Sequence, residues 1–336
     1  MLHAEIVILN WNGEAHLRRF LPNVLAAADG AGVVVADNGS TDGSLALLSA
    51  EFPQVRVVRL DRNYGFAEGY NRALEQVEAD VFVLLNSDVE TPAGWLAPLL
   101  ECLERHPDVA AVAPKLRSVD EPDRFEYAGA AGGYIDFLGY PFCRGRILRS
   151  VERDTGQYDD ERDVFWVSGA AFCCRAEAFR AAGGFDGDFF AHMEEIDLCW
   201  RLRLAGHRIR IVPASTVYHL GGGTLATDSP RKVFFNHRNN LAMLYKCASP
   251  LQRFVVAAVR PALDLAAAVS YLMQGRAANF RAVFRAYRDF LRWHGALARK
   301  RRTIRGGCEV QPPACIYRGS IVLRYLFGGR TFGRLM

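Results

Sequence analysis

The first third of the chain alternates strand and helix signals, and this alternation restricts the fold more than any other feature. Short apolar segments such as "EIVILN" at Glu5 and "DVFVLLN" at Asp80 predict strands. The segments between them, such as "EAHLRRFLPNVLAAA" at Glu14, predict helices. Strands that are apolar on both faces are typical of a parallel sheet covered by helices. The pattern therefore predicts an α/β fold whose ligands bind beyond the carboxyl ends of the strands.

Polar or small residues follow four successive predicted strands. They are Asn10-Trp11-Asn12, Asp37-Asn38-Gly39-Ser40, Asn63-Tyr64-Gly65 and Asn86-Ser87-Asp88. Asp37 can accept hydrogen bonds from a nucleoside, or it can form a turn that caps the next helix. Asp88 can hold Mg²⁺ or Mn²⁺ beside a diphosphate, or it can cap a helix that begins near Pro92. Four polar strand ends together favour a binding site, whereas the missing GxGxxG fingerprint disfavours an NAD-type site.

A third group of candidates lies in "FFAHMEEIDLCWRLRLAGHRI", which begins at Phe189. Glu194, Glu195 and Asp197 open a predicted helix, where acidic residues suit the helix dipole. A carboxylate beside the neighbouring aromatic residues can instead gain basicity and act as a general base. His219 follows another predicted strand, and its role is either structural or that of a metal ligand.

Seven segments in order resemble the inverting glycosyltransferases of family 2, and especially the rhamnosyltransferase-like bacterial members. The segments are "VILNWNG", "VVADNGSTDGS", "NYGFAEGYNRAL", "LLNSDV", "WVSGAAFCCRAEAFRAAGGFD", "EEIDLCWRLRLAG" and "VYHLGGG". The resemblance spans about Glu5 to Lys246. It implies a GT-A fold, with a Rossmann-like nucleotide-binding half, a mixed central sheet and an acceptor-binding half. The expected domains are a catalytic domain at 1–245, divided at 110/111, and a basic helical region at 246–336.

The resemblance also implies roles for individual residues. Glu195 corresponds to the catalytic base, and Asp88 and His219 correspond to ligands of Mg²⁺ or Mn²⁺. The donor nucleotide sugar is expected to contact a larger set, namely Asn10, Asp37, Gly65, Phe66, Asn71, Asn86 and Gly169. Glu194, Arg231, Lys232 and Arg238 are further candidates for contact with the diphosphate or the acceptor, although a solvated basic face would explain the three cations equally well.

Two departures from the family pattern affect these expectations. Asn86 stands where the family usually has the first acid of its metal motif, and related members carry the same Asn. Glu195 stands where Asp is commoner. The sequence predicts a metal-dependent transfer of a sugar from dTDP-rhamnose or a UDP-sugar to a glycan or lipid-linked glycan hydroxyl. A weakly active or inactive scaffold remains an alternative because of Asn86, and a nucleotidyltransferase is a more distant one.

Charge is distributed unevenly along the chain. From Leu251 to Met336 there are 16 Lys or Arg against 3 Asp or Glu, whereas the remainder has 25 against 34. A basic, partly apolar tail predicts contact with an anionic membrane surface and fits a polyprenyl-diphosphate-linked acceptor; no nucleic-acid partner is expected. The run from Phe254 contains Arg260 and Asp264, which disfavours a spanning helix. With 8 cysteines and no CxxC pair, the expected location is a reducing cytoplasm. The family resemblance and the basic tail together imply a position at the inner face of the cytoplasmic membrane.

Overall fold

The computed structural model of the chain describes residues 2–221, 229–305 and 315–335, and it confirms the predicted α/β architecture. The strands are β1 Ala4–Asn10, β2 Gly32–Asp37, β3 Arg56–Arg59, β4 Val81–Asn86, β5 Val89–Glu90, β6 Val109–Ser118, β7 Gly133–Asp136, β8 Pro141–Cys143, β9 Arg146–Ile147, β10 Ser150–Val151, β11 Arg162–Asp163, β12 Ala171–Arg175, β13 Arg208–His219 and β14 Ile316–Tyr317. The helices are α1 Glu14–Ala26, α2 Ser44–Glu51, α3 Gly65–Leu74, α4 Ala97–Arg105, α5 Ala176–Ala181, α6 Glu194–Leu204, α7 Pro230–Cys247, α8 Pro250–Met273, α9 Ala277–Arg292, α10 His294–Arg305 and α11 Ile321–Leu326.

The central sheet is mixed and runs in the order β11-β13-β6-β12-β4-β1-β2-β3, with β5 also paired to β13. Strands β3, β2, β1 and β4 are mutually parallel. Strand β12 is antiparallel to both β4 and β6, and β13 is parallel to β6. Two antiparallel steps restore the original direction, so the carboxyl ends of β1, β2, β4 and β13 lie on one edge. The sheet thereby brings together residues that are far apart in the sequence.

Both faces of this sheet are buried, as the uniformly apolar strands predict. Alternate residues of each strand belong to two different core clusters: Val7 and Leu84 pack on one face, and Ile8 and Leu85 pack on the other. A smaller sheet, in the order β10-β9-β8-β7-β14, is formed by the middle of the chain together with β14 from near the C-terminus.

The segment after β4 differs from the sequence expectation. The helix expected near Pro92 begins at Ala97, and no side chain caps its first turn. Val89 and Glu90 instead form β5, which pairs with the last two residues of β13. Asp88 therefore lies with Ser87 in the turn between β4 and β5 and does not cap a helix.

The helices expected in the region at 246–336 are observed as α8, α9, α10 and α11, and α7 precedes them. Residues from the C-terminal part of the chain, including Leu297, Ile321 and Phe332, belong to the same core cluster as residues of the central sheet. The expected domain boundary at 245/246 falls inside α7, and the division into domains stays a prediction. Near the C-terminus, Ile316 and Tyr317 form β14, which pairs in parallel with β7; residues 306–314 lie outside the described residues.

Candidate active site

The ends of β1 and β2 form one side of the site. The side-chain amide of Asn10 donates to Oδ1 of Asp37 at 3.4 Å and to Oγ of Ser40 at 3.2 Å. The backbone N–H of Ser40 donates to Oδ2 of Asp37 at 3.1 Å. The turn role of Asp37 is thus observed, since both carboxylate oxygens accept hydrogen bonds from the protein at the end of β2, and its role in binding a nucleoside stays a prediction.

The pairing of β5 with β13 brings Asp88 to His219. Oδ1 of Asp88 lies 3.2 Å from Nε2 of His219, and the amide nitrogen of Asn86 lies 3.4 Å from the same ring nitrogen. On the other side of the ring, Nδ1 of His219 lies 3.4 Å from Oε2 of Glu126. All three titratable groups are buried. The structure therefore holds the imidazole between two carboxylates.

These contacts shift the pKa values of the pair. Burial disfavours protonation of His219, but hydrogen bonding to Asp88 and Glu126 outweighs burial and raises the pKa of His219 to about 10. Burial likewise opposes ionisation of Asp88, yet its contact with His219 lowers the pKa of that carboxyl below its ordinary value. The two carboxylates thus stabilise one positive charge at His219, which is a ring proton in the absence of a metal and which a cation bound to Nε2 would displace.

The arrangement fits a divalent cation. Two ligands about 2.1 Å from one ion and at right angles to each other are separated by about 3.0 Å, close to the 3.2 Å between Asp88 Oδ1 and His219 Nε2. The Nδ1 contact with Glu126 matches the carboxylate–histidine pairs that orient metal-binding imidazoles. Within the described ranges no cluster of three or more Asp, Glu, His or Cys side chains forms a metal site. The protein therefore offers two ligands plus the amide of Asn86, and leaves other positions to a diphosphate and water.

The start of α6 supplies the candidate base. Glu195 is partly buried, and burial raises the pKa of its carboxyl to about 7 despite backbone hydrogen bonds that act in the opposite direction. Burial and the neighbouring Glu195 raise the pKa of Glu194 well above its ordinary value. A carboxyl with a pKa near neutrality is suited to accept a proton at physiological pH.

Gly169 packs between Phe66 and Glu195. A Cβ on this residue would lie 3.2 Å from the ring of Phe66 and 3.9 Å from Cβ of Glu195. The next residue, Ala170, accepts a hydrogen bond from the backbone N–H of Asn86 at 3.0 Å. The predicted donor, base and metal residues therefore converge around the start of β12.

The loop at 186–193 that precedes Glu195 is held in an unusual backbone conformation. Phe190, His192 and Met193 all have positive φ, between 67° and 73°. The amide of Asn239 on α7 donates to three carbonyl oxygens of this loop at 2.8–3.0 Å. Gly65 permits the close approach from the other side, since its φ is +80° and an added Cβ would lie 2.5 Å from the carbonyl oxygen of Phe190. Contacts from α3 and α7 thus fix the position of the base.

A buried ionic network lies beneath this loop. Asp197 pairs with Arg201 at 2.8 Å and with Lys246 at 2.8 Å. Lys246 also contacts Asp186, which is in turn paired with Lys300 from α10. These pairs explain Asp197 in the first helical turn, and they join α6 to α7 and α10.

Several residues that were predicted to contact the donor or acceptor instead form interactions within the protein. The amide of Asn71 donates to the carbonyl oxygen of Phe185 and accepts from its N–H, both at 2.9 Å. The guanidinium of Arg238 is buried and donates to carbonyl oxygens of the 186–193 loop. Arg231 is exposed and stacks over the ring of Phe190 at 4.9 Å, and Lys232 next to it is partly buried. Of the three cations, Arg231 has the geometry most compatible with an external anion.

Five buried side-chain polar atoms at the site lack a hydrogen-bond partner among the described residues. They are Asn10 Oδ1, His192 Nε2, Glu194 Oε2, Glu195 Oε2 and His219 Nδ1, the last of which has only its ion-pair contact with Glu126 at 3.4 Å. Buried polar atoms are paired in the great majority of native structures, so unpaired ones grouped around converging strand ends indicate a ligand site.

Two functional candidates were missed from sequence alone. Glu126 lies in an irregular segment, "RFEYAGAAGG", in which no spacing links it to His219. Asn239 stands out only as one of several polar residues in "NHRNN", and nothing in that stretch indicates the loop it holds.

Comparison with known proteins identifies relatives. A family model described as "Glycosyl transferase family 2" matches residues 5–178. The N-acetylglucosaminyl-diphospho-decaprenol L-rhamnosyltransferase of Mycobacterium tuberculosis is 30% identical over 258 residues, which cover 71% of this chain and 83% of the relative. The pre-mycofactocin glycosyltransferase of the same organism is 29% identical over 291 residues, 81% of this chain and 56% of that protein.

Solved structures show a similar fold. A structure of GalNAc-T7 with UDP, GalNAc and Mn²⁺ aligns with a TM-score of 0.58 and 18% identity, over 73% of this chain and 48% of that one. The mannosyltransferase PcManGT from Pyrobaculum calidifontis, with GDP-Man and Mn²⁺, aligns with a TM-score of 0.51 and 16% identity, over 91% and 84%. At these identities the likeness shows the fold alone, which is the GT-A fold of glycosyltransferases.

Proposed function

The chain belongs to glycosyltransferase family 2, and from this premise we propose that it is a metal-dependent inverting transferase. It moves a sugar from a nucleoside-diphosphate donor to a hydroxyl of a glycan or lipid-linked glycan. The family membership makes the chain a glycosyltransferase; the metal, the donor, the acceptor and the residue roles are the content of the proposal.

The observation that carries the proposal is the position of Glu195. Its carboxyl has an unpaired buried oxygen and a pKa raised to about 7, and it lies beside Gly169. An acceptor hydroxyl hydrogen-bonded to that oxygen would satisfy the unpaired atom and lose its proton to it. Gly169 leaves the space beside Glu195 that a larger side chain would fill.

One displacement accounts for the reaction. The acceptor oxygen bonds to the anomeric carbon, the bond from that carbon to the diphosphate oxygen breaks, and the hydroxyl proton passes to Glu195. Attack opposite the leaving group inverts the anomeric carbon. A divalent cation held by Asp88 and His219, with Asn86 beside them, would supply positive charge for the departing diphosphate.

The other predicted residues position the donor and acceptor. Asn10 and Asp37 bind the nucleoside at the ends of β1 and β2. Arg231 and Lys232 meet the diphosphate from the start of α7, while Glu194 lies next to the base on the acceptor side. Arg238 and Asn71 act indirectly, because both already hold the loop that presents Glu195.

The relatives support a proposal for the donor and the acceptor. The Mycobacterium tuberculosis relative is named a rhamnosyltransferase that acts on N-acetylglucosaminyl-diphospho-decaprenol. By analogy, the donor here is dTDP-rhamnose or a UDP-sugar, and the acceptor is a sugar on a polyprenyl diphosphate. Synthesis of cell-surface polysaccharide at the inner face of the cytoplasmic membrane is the setting that joins a soluble donor to a lipid-linked acceptor.

A donor screen followed by a transfer assay tests the proposal. Thermal stability is measured with dTDP- and UDP-sugars, each with and without Mn²⁺, since a bound donor raises the unfolding temperature. The stabilising donor is then incubated with a short-chain polyprenyl-diphosphate N-acetylglucosamine, and the released nucleoside diphosphate and the glycosylated lipid are quantified. We expect metal-dependent stabilisation and transfer. Stabilisation without any release of nucleoside diphosphate would favour the scaffold alternative that Asn86 suggests.

A further inference from the structure

Helix α8 has its polarity reversed with respect to an ordinary surface helix. The residues that face the protein include Gln252, Arg260 and Asp264, whereas the face toward solvent is apolar. Its exposed large apolar side chains are Leu251, Phe254, Val259, Leu265, Val269, Leu272 and Met273. A helix packed on a soluble core normally buries its apolar stripe and exposes its polar one.

The two buried charges of α8, Arg260 and Asp264, are fully engaged in the protein. The guanidinium of Arg260 pairs with Asp264 at 3.2 Å and donates to the carbonyl oxygen of Leu138 at 2.9 Å. The hydroxyl groups of Tyr140 and Tyr287 donate to the carboxylate of Asp264 at 3.2 Å and 2.7 Å. These bonds fix the rotation of α8 about its axis, and the apolar face is thereby held outward.

The same bonds make a spanning orientation unfavourable. By length and composition α8 is sufficient to cross a membrane, and it is the single such helix in the described ranges. Spanning would detach Arg260 and Asp264 from their partners and place both charges in hydrocarbon, which is costly. An orientation parallel to the membrane leaves every one of these bonds in place.

The neighbouring helix α9 supplies complementary charge. Its exposed face carries Arg281, Arg285, Arg288 and Arg292. Arginines beside an exposed apolar surface suit a bilayer interface, where the apolar side chains enter the acyl region and the cations meet anionic headgroups. A twofold dimer through the same surface would place the arginine rows of two copies near each other, which like-charge repulsion opposes.

We propose that the apolar face of α8, flanked by the arginine face of α9, is the surface by which the protein docks on an anionic membrane. The inference identifies the membrane contact of the proposed function and rests on that function for the reason a lipid surface is needed. Docking places the site of a soluble donor at the surface where a polyprenyl-linked acceptor resides.

Vesicle flotation of the full chain tests this proposal without any sugar transfer. The vesicles are phosphatidylcholine alone or phosphatidylcholine with a minority of phosphatidylglycerol. We expect binding to the anionic vesicles that weakens at high salt. The double variant Phe254→Gln, Leu265→Gln should bind at least about tenfold more weakly, since both side chains contribute apolar area to the interface.

A matched control is Phe327→Gln, which removes an even more exposed aromatic residue from the C-terminal end of α11. Its vesicle affinity should stay close to that of the wild type, and an equal loss in the control would overturn the assignment to α8. Unfolding temperatures of all variants should agree within error, because the substituted side chains are exposed.

Sedimentation in the absence of lipid tests the alternative that a second copy of the protein, and not a membrane, covers the apolar face of α8. A wild-type dimer that the double variant converts to a monomer, with vesicle binding unchanged, would refute membrane docking. Transfer to a short-chain, water-soluble acceptor should be equal in wild type and double variant. If neither protein transferred sugar to this acceptor, the proposed enzymatic function would be refuted, and the vesicle result would still decide the docking proposal separately.

Discussion

Transfer should depend on pH through a single carboxyl group. Burial raises the pKa of Glu195 to about 7, so below that pH the protonated, inactive form of the base predominates. A group with this pKa is about 90% ionised at pH 8 and about 10% ionised at pH 6. We therefore expect kcat/KM to fall about tenfold between pH 8 and pH 6, measured as nucleoside diphosphate released at saturating Mn²⁺.

Variants test whether one residue causes this fall in kcat/KM at low pH, which is called the acidic limb of the pH profile below. Glu195→Gln should lower the rate by about a hundredfold to ten-thousandfold and remove the limb from the residual activity. Glu194→Gln should keep the limb, because glutamine resembles the protonated carboxyl that burial favours at this position. Donor-induced thermal stabilisation of Glu195→Gln should match the wild type. A rate that does not change between pH 6 and pH 8, or a Glu195→Gln enzyme that retains the acidic limb, would refute the assignment.

Three further variants test other parts of the structure. Asp88→Ala should weaken donor binding in the presence of Mn²⁺ and leave metal-free binding nearly unchanged; a titration curve identical to the wild type would contradict the ligand role. Gly65→Ala should lower the unfolding temperature more than Gly94→Ala. Both glycines have positive φ, which costs an alanine about 1–2 kcal/mol of stability at either position. Only the Cβ added at Gly65 also collides with the neighbouring loop, at the carbonyl oxygen of Phe190. Lys246→Met should cost about 3–5 kcal/mol in urea unfolding by leaving Asp197 with less compensation in the interior, and a loss below about 1 kcal/mol would contradict that account.

The fold and most of the site edge were predictable because they depend on local patterns. Uniformly apolar strands and polar strand ends predicted the sheet and the edge at which Asn10, Asp37 and Asn86 lie. The order of the segments identified the family, which the comparisons confirm. The roles assigned to these residues stay predictions.

The remaining features depend on contacts between distant segments. The pairing of Asp88 with His219 requires β5, whose two residues carry no strand signal. The internal bonds of Asn71 depend on a loop more than a hundred residues away. The spacing of Arg260 and Asp264 allowed an ion pair on one helical face, but which face would be buried depended on distant partners such as Leu138.

The ionic network beneath the loop at 186–193 limits how the protein can be divided. A chain truncated at residue 245 would retain Asp186 and Asp197 in the interior but lose Lys246 and Lys300, which neutralise them. Removal of those cations would destabilise the segment that carries Glu195, even though the deleted helices contribute no predicted catalytic residue. The C-terminal helices therefore cannot be treated as a detachable unit, because α7 and α10 supply the cations that neutralise the carboxylates next to the loop before Glu195.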